Sequence, residues 1–289
     1  MLNWSSITGL EREGLLPMEG VASPPIFGLE KVLFIGDIHL PFHDPLVLEQ
    51  VFIFLETFRF DRVVVNGDLL DFYDISRFVK KANMGIGFDE ECELGKLFFR
   101  RLRATVGDEC RIDYTTGNHE IRFEHYLQGN AKRLETIECL ELGNLLELGE
   151  TGVVLHPRSG FDLRSNFRAT HGETVSKHSG RSAQGELERW HKSGISNHTH
   201  RGDQFSQMRS GDWLRWKENY CLCDCNPSYI DGPVNWMQGF TVGWFGEDLD
   251  SWFKLDGVEV HNQDLRLNTG ESFKSEARMR LDERSGRVL

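Results

Sequence analysis

The stretch Val32-Leu33-Phe34-Ile35-Gly36-Asp37-Ile38-His39-Leu40-Pro41-Phe42 decides how this chain folds. Its apolar run carries no polar alternation, as expected of a strand in a parallel sheet covered on both faces. The run stops at Gly36-Asp37, and a helix follows. Asp44 is placed to cap that helix, Pro45 suits its first turn, and Val47, Leu48, Val51, Phe52 and Leu55 recur along one face. The same grammar then repeats. Arg62-Val63-Val64-Val65 reads as a second buried strand ending at Asn66-Gly67-Asp68, and Arg111 to Thr115 as a third ending at Gly117-Asn118. Leu94, Leu97, Phe98 and Leu102 keep helical spacing between those two. This βαβ alternation predicts a parallel α/β sheet, whose ligands collect at the carboxyl ends of the strands. Further on, shorter strands are expected over 152–155, 167–170, 240–244 and 251–255, around a helix near 183–190.

The chain has 289 residues, 39% of them apolar, with 20 Phe and 7 Trp, which is enough for a large buried core and excludes disorder and collagen-like repeats. No uncharged apolar run is long enough to span a membrane, and Glu11, Arg12 and Glu13 fall where a signal peptide needs its apolar stretch. A soluble, unexported protein with no membrane partner is expected. Lys and Arg total 33 against 45 Asp and Glu, a net charge of -12, which opposes binding nucleic acid through a broad basic face. A phosphate partner has to be met locally. The six cysteines are few for this length, and Cys221, Cys223 and Cys225 alternate too closely to cross-link one another comfortably. Reduced thiols and a cytoplasmic setting are expected, with the three alternating cysteines packed on a buried strand face or loop rather than holding zinc.

The polar residues at the strand ends form a set: Asp37 and His39, Asp68 and Asp71, Asn118 and His119, then His171, His198 and His200. Carboxylate, imidazole and amide oxygen together suit Zn, Mn, Fe or Ni rather than Ca, which prefers oxygen alone. In extended backbone, residues i and i+2 point the same way, so Asp37 with His39 and His198 with His200 are each expected to turn two ligands toward one cavity.

The order Gly-Asp-x-His, Gly-Asp-x-x-Asp, Gly-Asn-His-Glu, His-Gly and x-His-Thr-His, each after an apolar run, resembles the calcineurin-like metallophosphoesterases over about Lys31 to Arg201. Gly36-Asp37-Ile38-His39-Leu40-Pro41-Phe42, with Leu187-Glu188-Arg189-Trp190 ahead of the His-Thr-His, is similar to their bacterial and bacteriophage branch. The resemblance implies a β-sandwich flanked by helices, in α/β/β/α layers. Around the catalytic domain expected over 31–270, Pro17, Pro24, Pro25 and several Gly mark 1–30 as an irregular extension and mixed charges mark 271–289 as a solvated tail, and the resemblance covers neither. The resemblance also implies two divalent metal ions, with Mn first among Mn, Fe, Zn and Ni. Asp37, His39 and His200 would hold one ion, Asn118, His171 and His198 the other, and Asp68 would bridge them. Such a pair shares a hydroxide that attacks phosphorus in line. His119 would protonate or stabilise the leaving oxygen, Asp71 would keep His119 protonated, and Arg122 would grip a phosphate oxygen.

Asn197 stands where the family usually carries Gly, which sets a side chain beside the second metal; among non-glycine residues, Asn best tolerates left-handed backbone. Phe72 stands where the protein Ser/Thr phosphatases of the superfamily carry an Arg that grips a dianionic monoester. The expected activity is therefore hydrolysis of phosphodiesters, as a phosphodiesterase or nuclease acting on nucleic acid or nucleotides. A phosphomonoesterase and a non-catalytic scaffold are the alternatives. Residues 72–87, with Arg77, Lys80 and Lys81, are long enough to form a rim or lid beside the centre.

Overall fold

In the strand Leu29–Ile35 (β1), Val32 and Phe34 face one apolar core while Leu33 and Ile35 face another, so the run has no polar face to show. The computed structural model describes residues 29–77, 86–226, 232–246, 252–261 and 264–266. Most of the expected N-terminal extension, the 271–289 tail and the middle of the 72–87 segment lie outside the described residues.

After β1 come helix Pro45–Thr57 (α1), strand Arg62–Asn66 (β2), helix Phe88–Val106 (α2), strand Arg111–Thr115 (β3), helix Ile121–Asn130 (α3) and the single turn Leu142–Leu145 (α4). Strands Val153–His156 (β4), Phe161–Arg164 (β5) and Phe167–Thr170 (β6) precede helix Arg181–Trp190 (α5). Six strands complete the order: Ser193–Ser196 (β7), Gln204–Arg209 (β8), Asp212–Glu218 (β9), Gly239–Gly246 (β10), Phe253–His261 (β11) and Asp264–Arg266 (β12). As read from the sequence, Asp44 caps α1, accepting from the amides of Leu46 (3.0 Å) and Val47 (3.2 Å).

Two sheets stack. The larger runs β12-β11-β10-β1-β2-β3-β4, the smaller β5-β6-β7-β9-β8. Between them lie Val32, Phe34, Val64, Phe167, Ile195, Phe245 and Phe253. The outer face of the large sheet packs on α1 and α2 through residues such as Leu33, Val63, Val51, Phe52, Phe98 and Leu102. The small sheet is covered outside by α5 through Ala183, Leu187 and Trp216. The result is the α/β/β/α sandwich expected.

The large sheet is mixed rather than parallel throughout, because β1 pairs in parallel with β2 but antiparallel with β10. Composition hid several elements. Strands β7, β8 and β9 are rich in Ser, Gln, Arg and Lys and lack the long apolar run that marks β1 to β3. They form by pairing with neighbours, which is tertiary information. Strand β11 also runs further than the sequence indicated, from Phe253 to His261.

A polar cross-brace ties β2, β3 and β4. The buried carboxylate of Asp113 accepts from Arg62 Nη1 (2.8 Å) and Arg111 Nε (3.0 Å), and lies 2.6 Å from His156 Nε2. Burial alone would raise its pKa, but His156, Arg111 and Arg62 together hold it below the usual aspartate value. A carboxylate whose pKa falls on folding stabilises the fold fully above its unfolded pKa, about 4, and loses that contribution as pH drops through the folded value. Asp113→Asn is therefore expected to lower Tm at pH 7, by a stability loss of about 1–3 kcal/mol. The gap to the parent should close as thermal melts are taken down toward pH 3; a gap that stays constant with pH would disprove the charge-based brace.

Candidate metal centre

The turns that end β1, β2, β3, β6 and β7 converge at one edge of the sandwich, and each delivers a candidate ligand. Their backbone is unusual. Among the described residues nine non-glycine positions have positive φ, and five of these are Asp37 (48°), His39 (53°), Asp68 (50°), His198 (75°) and His200 (58°). Left-handed backbone is costly for residues with a Cβ and persists where surrounding structure enforces it. The expectation that Asp37/His39 and His198/His200 converge through extended backbone is thus corrected: they converge through left-handed turns. Asn197 itself does not take positive φ; the histidines after it do.

Hydrogen bonds between loops enforce these turns. The amides of Ile38 (2.9 Å) and His39 (3.0 Å) both donate to Asp68 O. Those of Leu222 and Cys223 both donate to Asp37 O at 3.0 Å. Two glycines make the approach possible. A Cβ on Gly117 would lie 2.0 Å from Asp68 Oδ1, and one on Gly67, at φ 89°, would lie 2.3 Å from His171 Nδ1.

The side chains gather into linked groups. Donor atoms of Asp37, His39 and His200 lie within 4.8 Å of one another, as do those of Asp68, His171 and His198. Asn118 joins the second group, its Oδ1 2.9 Å from His171 Nε2. Asp68 Oδ2 stands between the groups, 3.3 Å from His171 Nε2 and 3.8 Å from both His39 Nε2 and His119 Nε2. All seven candidate ligands are therefore brought together.

The rings are held from behind. His171 Nδ1 lies 3.0 Å from Asn66 O, His39 Nδ1 lies 3.1 Å from Asp71 Oδ2, and His200 Nδ1 lies 3.7 Å from Cys223 Sγ. Each leaves Nε2 for the centre, the arrangement by which outer partners orient metal-binding imidazoles. His39 Nε2 and His200 Nε2 face each other at 3.2 Å.

Burial and neighbours set the charges. Burial pushes Asp37 up, to about 8, against the pull of His171 and with the repulsion of Asp68 added. Burial would raise Asp68 too, but His171, His119 and His39 hold it well below the usual range. His171 is pushed up to about 9, the attraction of Asp68 overcoming desolvation. Desolvation and the neighbouring His171 lower His198 to about 4, and desolvation with His39 keeps His200 low, so both offer neutral nitrogen. Asp37 Oδ1 is buried with no hydrogen-bond partner. An orphaned carboxylate oxygen, a shared second carboxylate and several imidazole nitrogens aimed at one point fit divalent cations of the Mn, Fe, Zn or Ni type.

Asp71 lies under two rings at once. Its Oδ2 is 3.1 Å from His39 Nδ1 and 3.2 Å from His119 Nδ1, and these imidazoles hold it well below the usual carboxylate range despite burial. Arg122 Nη1 donates to Asp71 O (2.7 Å) and Oδ1 (3.1 Å), and its Nη2 lies 2.9 Å from His119 Nε2. The guanidinium is thus built into the Asp71–His119 pair. Desolvation and Arg122 disfavour the imidazolium of His119, yet Asp68 and Asp71 outweigh them and its pKa is raised.

Some supporting residues went unread in the sequence. The buried carboxylate of Glu120 accepts from the amides of Gly117 (2.7 Å), Asp68 (3.0 Å) and Leu70 (3.0 Å), clamping the β2 and β3 turns together. It stands in the Gly-Asn-His-Glu motif, so the signal was present. Asn197 accepts from Asn66 Nδ2 (3.1 Å) and Asn219 Nδ2 (3.2 Å) and donates to Tyr220 O (3.0 Å), with Asp37 Oδ2 at 3.3 Å. Its amide therefore turns inward beneath Asp37 instead of crowding the second group of donors. Cys221 and Cys223 are buried, as expected, but Cys223 backs His200, a contact that spacing alone did not reveal.

A layered sandwich with carboxylates and imidazoles gathered at its strand ends is the metallophosphoesterase fold. Residues 30–261 match the calcineurin-like phosphoesterase family, and the chain belongs to that family. It is similar to the Gene 54 protein of Mycobacterium phage L5, 28% identical over 237 residues, covering 74% of this chain and 88% of the phage protein. The Gene 54 protein of Mycobacterium phage D29 is 29% identical over 180 residues, covering 60% and 69%. Both fit the bacteriophage branch. Among solved structures, Vps29 from Chaetomium thermophilum matches at TM-score 0.44 and 10% identity, covering 84% of this chain and 92% of that one. Vps29 from Cryptosporidium parvum matches at 0.43 and 12%, covering 83% and 96%. Among the described residues no helix is long and apolar enough to cross a membrane.

Removing the Glu120 carboxylate strands three buried amides. Glu120→Ala is expected to lose about 1–3 kcal/mol per unsatisfied group, less whatever water recovers. Amide exchange at Asp68 and Leu70 should accelerate more than at the centre of β1; unchanged exchange at those turns would show that the clamp is dispensable.

Proposed function

We propose that this protein is a metal-dependent phosphoesterase that prefers diesters, a phosphodiesterase or nuclease, with its centre built from Asp37, His39, Asp68, Asn118, His171, His198 and His200. The observation that carries the proposal is the position of Asp68 Oδ2 between two groups of donors, 3.3 Å from His171 Nε2 and 3.8 Å from His39 Nε2. Two divalent cations held there, Mn first among the candidates, would supply Lewis acidity and water activated near neutral pH.

The chain's own residues supply the rest. Asp37, His39 and His200 form one side of the centre and Asn118, His171 and His198 the other, with Asp68 common to both. His119 is the group that gives a proton to the leaving oxygen, general acid catalysis being worth on the order of 10² to 10⁴ in rate. Asp71 and Arg122 hold the His119 ring in place, and Asp68 with Asp71 raise its pKa against desolvation and Arg122. Phe72 supports diesters over monoesters. Its ring is buried and stacks on Phe88 at 5.0 Å, so the position following Asp71 offers no cation for the second charge of a monoester. All six cysteines are free thiols, which supports a reducing, cytoplasmic setting.

With Mn supplied, bis-p-nitrophenyl phosphate should be hydrolysed faster than p-nitrophenyl phosphate; the reverse order would replace the diester assignment with a monoesterase. Asp68→Asn should abolish turnover and lower metal content by elemental analysis. His119→Ala should lower kcat by about 10² or more while metal content stays at the parent level. Loss of metal in His119→Ala would make His119 a ligand rather than the acid.

A further inference from the structure

A cavity of about 460 Å³ opens directly beside the candidate centre, with His198 in its wall. That volume lies within the range of small-ligand sites, roughly 300 to 1,000 Å³. One part of the wall is the segment after the His171 turn, including Val175, Ser176 and Lys177; another carries Asn235 and Trp236. Both parts are fastened to the loop that bears His198 and His200. Arg201 donates from Nη2 to Ser176 O (2.7 Å) and from Nη1 to Lys177 O (3.2 Å), fixing the first. The amide of Met237 donates to His200 O (2.8 Å), and the Trp236 and His200 rings meet edge to face at 4.4 Å, fixing the second.

The lining mixes chemistry in a particular way. Trp236 is only half-buried, and Val175 is 65% exposed, an apolar side chain turned outward beside a polar catalytic edge. The same lining carries the hydroxyl of Ser176, the amide of Asn235 and the exposed ammonium of Lys177. An acyl chain would leave those polar groups unmatched, and a bare sugar would leave the indole and Val175 uncovered. A flat heterocycle with polar edges satisfies both.

We propose that this cavity binds the base of a nucleotide whose phosphate lies at the candidate centre, with Trp236 as the stacking platform and Lys177 beside the adjoining phosphate or sugar. The proposal rests on the phosphoesterase assignment above and narrows its substrate to nucleotide-derived diesters. Stacking of one base on an aromatic ring is sequence-tolerant, so any base preference would come from Asn235 and Ser176.

The test is calorimetric binding to the full-length Mn-loaded protein of a non-hydrolysable thymidine 5′-phosphonate and of the same sugar phosphonate without its base. The parent is expected to bind the thymidine compound about ten- to a hundredfold more tightly. Trp236→Ala should bring that ratio close to one, and Trp236→Phe should restore part of it. Because the ratio compares two ligands on one protein, a general disturbance of His200 affects both and cancels. Equal affinities in the parent, or a ratio indifferent to Trp236→Ala, would overturn the base site. Hydrolysis of bis-p-nitrophenyl phosphate with equal phosphonate affinities would leave the phosphoesterase standing and remove only the base site. Base-dependent binding without any hydrolysis would do the opposite.

Discussion

Two aspartates buried side by side constrain everything else in this structure. Asp37 and Asp68 are both withdrawn from water, and each raises the cost of ionising the other. In a low-dielectric interior such charges persist only when paired and hydrogen-bonded. Histidines do most of the pairing around Asp68, whereas one oxygen of Asp37 accepts no hydrogen bond, with His200 Nε2 standing 3.7 Å away and His171 Nδ1 4.0 Å. Burying an acceptor that no donor of the chain satisfies is costly, and the arrangement fits a cation at the candidate centre.

Meeting this constraint requires several loops to arrive at one point, and no regular element can place side chains that closely. The chain solves the problem with left-handed turns at five of the candidate ligands, each locked by amides donating across to a neighbouring loop. Glycine is needed at Gly67 and Gly117 because loop approaches His171 or Asp68 within the space a Cβ would fill. The strain of the turns is sustained by the sandwich beneath them, whose strands are held on both faces by apolar cores.

Behind the candidate ligands lies a layer of groups that touch nothing outside the protein. Asp71 orients His39 and His119 together, so a candidate ligand and the candidate acid share one anchor. Glu120 joins the β2 and β3 turns, and Asn197 joins the β1 and β7 turns. Each of these polar groups replaces water for a backbone or side chain that the convergence has buried.

The amino-acid sequence by itself determined the apolar β1 to β3 strands, the capped helix after Asp44 and the identity of the side chains at the strand ends. Those features are local, since an unbroken apolar run, a capping aspartate and a Gly-Asp turn report their structure within a few residues. It also contained Glu120 in plain view, without saying what the carboxylate holds. Only the tertiary structure decided that β7 to β9 are strands, that Asn197 turns inward beneath Asp37, and that Cys223 stands behind His200. These outcomes depend on residues far apart in the chain being brought within a few ångströms by the packing of two sheets. Polar strands and backing contacts carry no periodicity of their own, so their physical meaning exists only once the partner across the gap is in place.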